Sequence, residues 1–293
     1  MDSRRSAARH PSASVSLQAA DLRFAYGRHR RSPADASSDD RSPGRWVIDG
    51  ISIEIPSGAC VGILGPNGSG KTSLLKLLSG ALQPVRGRIT LDGESLASIP
   101  RRTLATRVAV VPQETHLLFD YSALEIVLMG RYPRMGTFAI EGPDDLASAL
   151  DALSATGVRD LAERAFPTLS GGEKQRVIIA SALAQLDDRI ERAAPGHRAP
   201  RTTVLLLDEP TASLDLHYQI EVASLVRRLN TEHGITIVLS THDLRLASSL
   251  CTHVVLLAHG RVLAQGPTDR VLSPEHVGAL YDIDPAVAAP LLK

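Results

Sequence analysis

The stretch "CVGILGPNGSGKTSLLKLLSG", Cys60 to Gly80, changes character twice. It opens on a short apolar run, passes through a loop with glycines at Gly65, Gly68 and Gly70, and ends with leucines at helical spacing. A continuous apolar run suits a strand buried on both faces. Gly80 suits the end of a helix, where a left-handed residue closes the last turn. With Lys71 and Thr72 closing the loop, the stretch matches G-x-x-x-x-G-K-[ST] in the strand–loop–helix context that gives the pattern its meaning. Such a loop (Gly65, Pro66, Asn67, Gly68, Ser69, Gly70) wraps backbone N–H groups around phosphates at a helix N-terminus. Lys71 is expected to reach the β and γ phosphates and Thr72 to hold Mg²⁺. Ser73 is expected to lie beside the α phosphate.

Outward from this stretch the chain alternates. "VAVV", "VLLLD", "ITIVLS" and "VVLLA" are further short apolar runs, with helical segments between them. In Asp215 to Asn230, Val222, Leu225, Val226 and Leu229 fall at i, i+3, i+4 and i+7, one face of a helix. The expected fold is α/β, a P-loop core of the RecA-like kind with helices on both faces of a parallel sheet. The early segments "SVSLQAADLRFAYG", "VIDGISIEIPSG" and "GRITLDG" alternate and turn like antiparallel strands. They predict an antiparallel β subdomain. A mostly helical stretch predicts an inserted helical subdomain over about 115–184.

Two segments read as mobile surface insertions, 28–45 and 187–202, because neither has enough apolar residues to order itself. Residues 1–14, rich in Arg, Ser and Ala, read as a disordered tail, and 15–293 as the folded domain. Lys+Arg and Asp+Glu both number 32 in the 293 residues. That balance gives no support to a nucleic-acid partner. Cys60 and Cys251 sit in apolar runs and read as buried thiols. No apolar run is long enough to span a bilayer.

"VLLLDEP", Val204 to Pro210, ends an apolar strand in two acids. Carboxylates there are costly unless they bind a metal or polarise a water. Asp208 is expected to hold Mg²⁺ and Glu209 to orient or deprotonate the attacking water. "LSGGEKQRV", Leu169 to Val177, begins like a capped helix, with Ser170 and Glu173 at capping-box spacing. Yet Gly171 and Gly172 lie in its first turn, where each costs about 1 kcal/mol relative to alanine.

Together these motifs resemble the nucleotide-binding subunit of an ATP-binding cassette (ABC) transporter, over about Val15 to Tyr281. "LSGGEKQRV" resembles the family signature, "ASLD" (Ala212 to Asp215) the D-loop, "STHD" (Ser240 to Asp243) the switch-histidine motif, and "VVPQE" the Q-loop. The resemblance implies an ATPase in which two copies bind head to tail around two ATP molecules. Ser170, Gly171, Gly172 and Asp215 would then contact the nucleotide of the other copy. Gly171 and Gly172 would leave room for its γ phosphate. His242 would touch the γ phosphate of its own copy, and Gln113 would sense Mg²⁺ and the attacking water. Tyr26 aligns with the aromatic residue that stacks on adenine, with Trp46 in reserve. Asp215 is equally suited to cap the helix after it.

The resemblance extends to a subgroup. "ALEIVLMGRYPR" and "STHDLRLASSLCTHVVLLAHGRVLAQGP" are similar to importer ATPases for ferric siderophores, haem and vitamin B12. It implies permease subunits in the membrane, an external substrate-binding protein and a place on the cytoplasmic face of the cell membrane. An apolar patch at Leu117, Leu118 and Phe119 would face the permease. The alternative is a soluble ABC ATPase acting on DNA or ribosomes. DNA-acting members carry long coiled coils in the helical insertion, and no sustained heptads separate Gln113 from Ser170. Ribosome-acting members usually carry two cassettes.

Overall fold

The computed structural model describes residues 15–27, 46–115, 119–136, 139–186, 202–212 and 214–292. The expected tail 1–14, the insertion 28–45 and residues 187–201 of the second insertion lie outside the described residues. Thr202, assigned by sequence to that insertion, is part of the fold: its hydroxyl is 2.7 Å from Asp92 Oδ1.

An antiparallel sheet is built from β1 (Val15–Phe24), β2 (Ile48–Pro56), β4 (Arg86–Leu91) and β5 (Glu94–Ser95), in the order β2-β1-β4-β5. In β2 Ile51, Ile53 and Ile55 are buried while Ser52 and Glu54 are exposed. That alternation puts one face on the core and the other in water.

The central sheet holds β3 (Cys60–Leu64), β6 (Val108–Val111), β7 (Val204–Asp208), β8 (Thr236–Thr241), β9 (His253–Ala258) and β10 (Arg261–Pro267). Their order is β10-β9-β3-β8-β7-β6. All neighbours are parallel except the β9–β10 hairpin. The sheet is a middle layer. Val61, Ile63, Leu206 and Val238 join α1 (Lys71–Leu78), α2 (Arg101–Ala105) and the antiparallel sheet in one core. Cys60, Leu205, Leu207, Ile237 and Leu239 point into a second core, against α5 (Gly171–Leu186), α6 (Leu216–His233) and α7 (Leu244–Leu250). Each such leucine or isoleucine contributes roughly 1.5–3 kcal/mol by leaving water, so both faces of the sheet are held.

Between β6 and β7 the chain forms α3 (Ala123–Met129), α4 (Pro143–Ala155) and α5 around a third core. Arg131 is 2% exposed there, bonded to Asp145 at 3.1 Å and to the Ala184 carbonyl at 2.8 Å. It ties α4 and α5 to the end of α3. After β10 the chain makes α8 (Thr268–Val271), α9 (Pro274–Tyr281) and α10 (Pro285–Ala288). Ala288 is fully buried, so the packed fold runs past Tyr281, where the family resemblance ends. Cys60 and Cys251 are buried free thiols with their sulfurs 4.0 Å apart. Among the described residues no helix is long and apolar enough to cross a membrane.

Candidate functional site: a phosphate-binding loop at the ends of the central strands

Strand β3 enters the loop at Gly65. A Cβ there would stand 2.1 Å from the Leu257 carbonyl oxygen of β9, so only glycine lets the turn pass so close to its neighbouring strand. The loop ends at Gly70, whose φ of 106° is left-handed, and α1 begins with no side chain capping it. Its first N–H groups are thereby left to an outside acceptor. Ser69 Oγ is buried and has no hydrogen-bond partner. A buried hydroxyl left unpaired costs about 1–3 kcal/mol, and a phosphate oxygen in the loop would satisfy it. The loop thus fits the phosphates expected from its sequence.

Lys71 Nζ curls back over this loop. It donates to the carbonyls of Gly65 at 2.9 Å and Pro66 at 3.3 Å, and lies 3.2 Å from Glu209 Oε1. Glu209 follows directly on β7, with a left-handed φ of 46°. Its N–H reaches the Ser240 carbonyl at 3.2 Å and Ser240 Oγ at 3.0 Å. Such strain in a non-glycine residue persists only where neighbours enforce it. Ser240, level with Asp208 in the β7–β8 register, donates to Asp208 Oδ1 at 2.6 Å. One hydroxyl therefore fixes both acids. The second oxygen of Glu209 meets His242 Nδ1 at 3.1 Å. The Glu209 carboxylate bridges Lys71 and His242.

The remaining expected residues differ in how firmly they are placed. Thr72 is half-buried at the start of α1, and Asp208 is 6% exposed at the end of β7. Gln113 is exposed, two residues past β6, whose Val111 is level with Leu207 of β7. That register brings it to the same end of the sheet as Asp208. Tyr26 has an exposed ring set edge-on against Phe24, and its hydroxyl is 3.2 Å from Ser73 Oγ. It stands beside the P-loop helix. Trp46 is half-buried just before β2.

At the start of α5 the capping box forms as spaced. Glu173 Oε2 accepts the Ser170 N–H at 2.7 Å, and Ser170 Oγ accepts the Glu173 N–H at 3.3 Å. The Ser170 N–H holds the Glu173 carboxyl below its ordinary pKa. Gly172 has a cause the sequence did not disclose. A Cβ on it would stand 2.2 Å from Cδ1 of Tyr218, in the first turn of α6. So its missing side chain is needed inside this chain, whatever a second copy requires. At Gly171 the nearest contact would be Leu214 Cδ2 at 3.3 Å, tight but within what a side chain can yield. Asp215 caps α6 by accepting the Tyr218 N–H at 3.2 Å. Tyr218 thus links the signature helix to the segment resembling a D-loop. Ser213 of that segment, and Leu117 and Leu118 of the expected apolar patch, lie outside the described residues. Phe119 is 67% exposed, its ring edge-on to Tyr121.

The model of the ABC transporter family matches residues 48–188. The chain is 43% identical over 237 residues to a hemin import ATP-binding protein of Gloeobacter violaceus, covering 81% of this chain and 82% of that one. The chain belongs to the ATP-binding subunits of ABC transporters. Like them, it is an ATPase. It is also 34% identical over 252 residues to the ferric enterobactin transport ATP-binding protein of Escherichia coli, over 84% and 88% of the two lengths. Among solved structures it resembles cbiO1 of Clostridium perfringens, part of the ABC transporter complex cbiONQ. There the TM-score is 0.70 with 28% identity, covering 95% of this chain and 99% of that one. The hemin and enterobactin relatives fall where the subgroup resemblance of the sequence pointed. The loop, Asp208, Glu209 and His242 of this cassette converge at one end of its central sheet.

Proposed function

We propose that this cassette powers an importer for an iron–siderophore, haem or cobalamin-type substrate, from the cytoplasmic face of the cell membrane. The observation that carries the reading is the match to a hemin import subunit at 43% identity along most of both chains. Two copies close head to tail on ATP. Membrane permease subunits ride on that closure, and an external binding protein delivers the substrate.

Within this reading the P-loop N–H groups, Ser69 and Lys71 bind the phosphates, and the Tyr26 ring takes the adenine. Glu209 orients and deprotonates the attacking water. His242, oriented by Glu209, contacts the γ phosphate. Ser170, Gly171, Gly172 and Asp215 complete the site of the other copy. Thr72, Asp208 and Gln113 would hold Mg²⁺. A donor set of one hydroxyl, one carboxylate and one amide leaves room for water and phosphate oxygens, which suits that ion. Bound there, it would supply positive charge against that building on the phosphates. Co-expression with the neighbouring permease and binding-protein genes tests the proposal. A multi-span permease is expected to copurify, and its binding protein loaded with haem, ferric siderophore or cobalamin is expected to raise ATP turnover. Copurification with ribosomes or DNA in place of a permease overturns it.

A further inference from the structure

The switch histidine sits in a short link. Strand β8 ends at Thr241, and α7 begins after Asp243, whose carboxylate caps it by accepting the N–H groups of Arg245 and Leu246. Only His242 lies between these two anchors. One peptide plane joins His242 to Asp243, and it is held from both sides. Its N–H, belonging to Asp243, donates to Thr241 Oγ1 at 3.0 Å. Its carbonyl, belonging to His242, accepts from the Tyr281 hydroxyl at 3.3 Å. Holding that plane removes play from the backbone on which the imidazole is carried, 3.1 Å from Glu209 Oε2.

Tyr281 comes from the far end of the chain and is itself well anchored. It closes α9, whose Val277 and Leu280 are buried in the second core. Asp282 then turns the chain in a left-handed conformation, and the Ile283 N–H returns to the Gly278 carbonyl at 3.0 Å. Ala288 is fully buried beyond it. Burial first, then the nearby carboxylates of Asp243 and Glu209, push the Tyr281 phenol above its ordinary pKa. It stays protonated, as a donor must.

We infer that Tyr281 is a positioning residue for ATP hydrolysis: its hydroxyl, carried on the C-terminal helices, sets the His242–Asp243 peptide plane and hence where the imidazole points. The inference rests on the reading of His242 as a γ-phosphate contact. A brace on the backbone acts on the rate of the step that uses the histidine. It has no reason to act on nucleotide affinity, which the P-loop supplies.

The test compares Tyr281→Phe, His242→Ala and the double variant, as the full purified chain. Mg-ATP hydrolysis is read by phosphate release, with single turnovers for the slow variants, alongside KM for ATP and Tm. Tyr281→Phe keeps the ring and removes the bond. It is expected to lower kcat about threefold to tenfold, as losing one hydrogen bond does, with KM and Tm unchanged. In the His242→Ala background it is expected to cost nothing further, because residues that act through one another are not additive. If Tyr281→Phe turns over at the wild-type rate while His242→Ala is crippled, the inference is wrong and the role of His242 stands. An equal loss in both backgrounds also overturns it, since the hydroxyl then acts elsewhere. His242→Ala at the wild-type rate refutes the underlying reading instead.

Discussion

Lys71 and Glu209 hold each other at 3.2 Å, with side-chain exposures of 6% and 11%. The lysine proposed to bind phosphate and the carboxylate proposed to activate water are thus engaged with one another. In the proposed mechanism, phosphate entering the loop would compete with Glu209 for the same ammonium. Glu209→Gln removes the charge that would compete and also the proposed base. It is expected to bind ATP at least as tightly as the wild type and to hydrolyse it about 100-fold more slowly or worse. Lys71→Ala is expected to lose binding as well. Titration with a fluorescent nucleotide and phosphate release measure the two effects separately. Wild-type turnover by Glu209→Gln would remove Glu209 from the mechanism.

Gly172 and Tyr218 give a prediction about stability. By helix propensity alone, Gly172→Ala in α5 would stabilise by about 1 kcal/mol. The added Cβ instead stands 2.2 Å from Tyr218 Cδ1 and 2.9 Å from its Cβ, near the rooted end of the side chain. Overpacking of this kind costs about 1–3 kcal/mol, so Tm is expected to fall. Gly171→Ala, with its nearest contact at 3.3 Å, is expected to leave Tm nearly unchanged. Adding Tyr218→Ala to Gly172→Ala recovers part of the loss. A Gly172→Ala protein that melts at or above the wild-type temperature contradicts the packing account.

The capping box of α5 makes stability depend on pH. The Ser170 N–H favours ionised Glu173, whose folded pKa is therefore lowered. A lowered carboxyl pKa stabilises the fold above the unfolded value of about 4.3, and this contribution is lost as pH falls through the folded value. Glu173→Gln keeps an acceptor without the charge. Its stability deficit in urea unfolding is expected to be full at pH 7 and to shrink as the pH drops below about 4. A deficit that stays constant down to pH 3 would place the effect in packing.

What the sequence disclosed and what it withheld follow from the range of the interactions. The P-loop is a local device in which spacing alone fixes the backbone, so the strand before Gly65 and the helix from Lys71 were legible in the motif. The helix of Asp215 to Asn230 was equally plain, since Val222, Leu225, Val226 and Leu229 are all buried as their spacing required. Gly172 was misleading by itself. Its clash partner Tyr218 lies in another helix, and no local pattern announces that contact. Ser240 was quoted only as part of a motif, although its hydroxyl joins Asp208 to the Glu209 backbone. That role exists only because the β7–β8 register sets Asp208 beside Ser240. Tyr281 gave no signal at all. The fold brings it to His242 from 39 residues away.

The last prediction concerns the pairing of two copies. Ser170 is half-buried and Gly171 exposed at the start of α5, so this end of the helix is open to a partner's nucleotide. With hydrolysis blocked by Glu209→Gln, Mg-ATP is expected to shift the chain from monomer to dimer on a sizing column with light scattering. Ser170→Arg in that background is expected to abolish the shift, because a long side chain would occupy the partner's phosphate position. The substitution also removes the helix cap, which costs about 1 kcal/mol, so loss of dimer alone would be ambiguous. Ser170→Ala separates the two causes: it loses the same cap and adds no bulk. It is expected to dimerise, at a higher ATP concentration. If Ser170→Ala and Ser170→Arg fail alike, the cap and not the trans contact explains the result. A dimer that forms without ATP and survives Ser170→Arg would mean that the copies pair through another face.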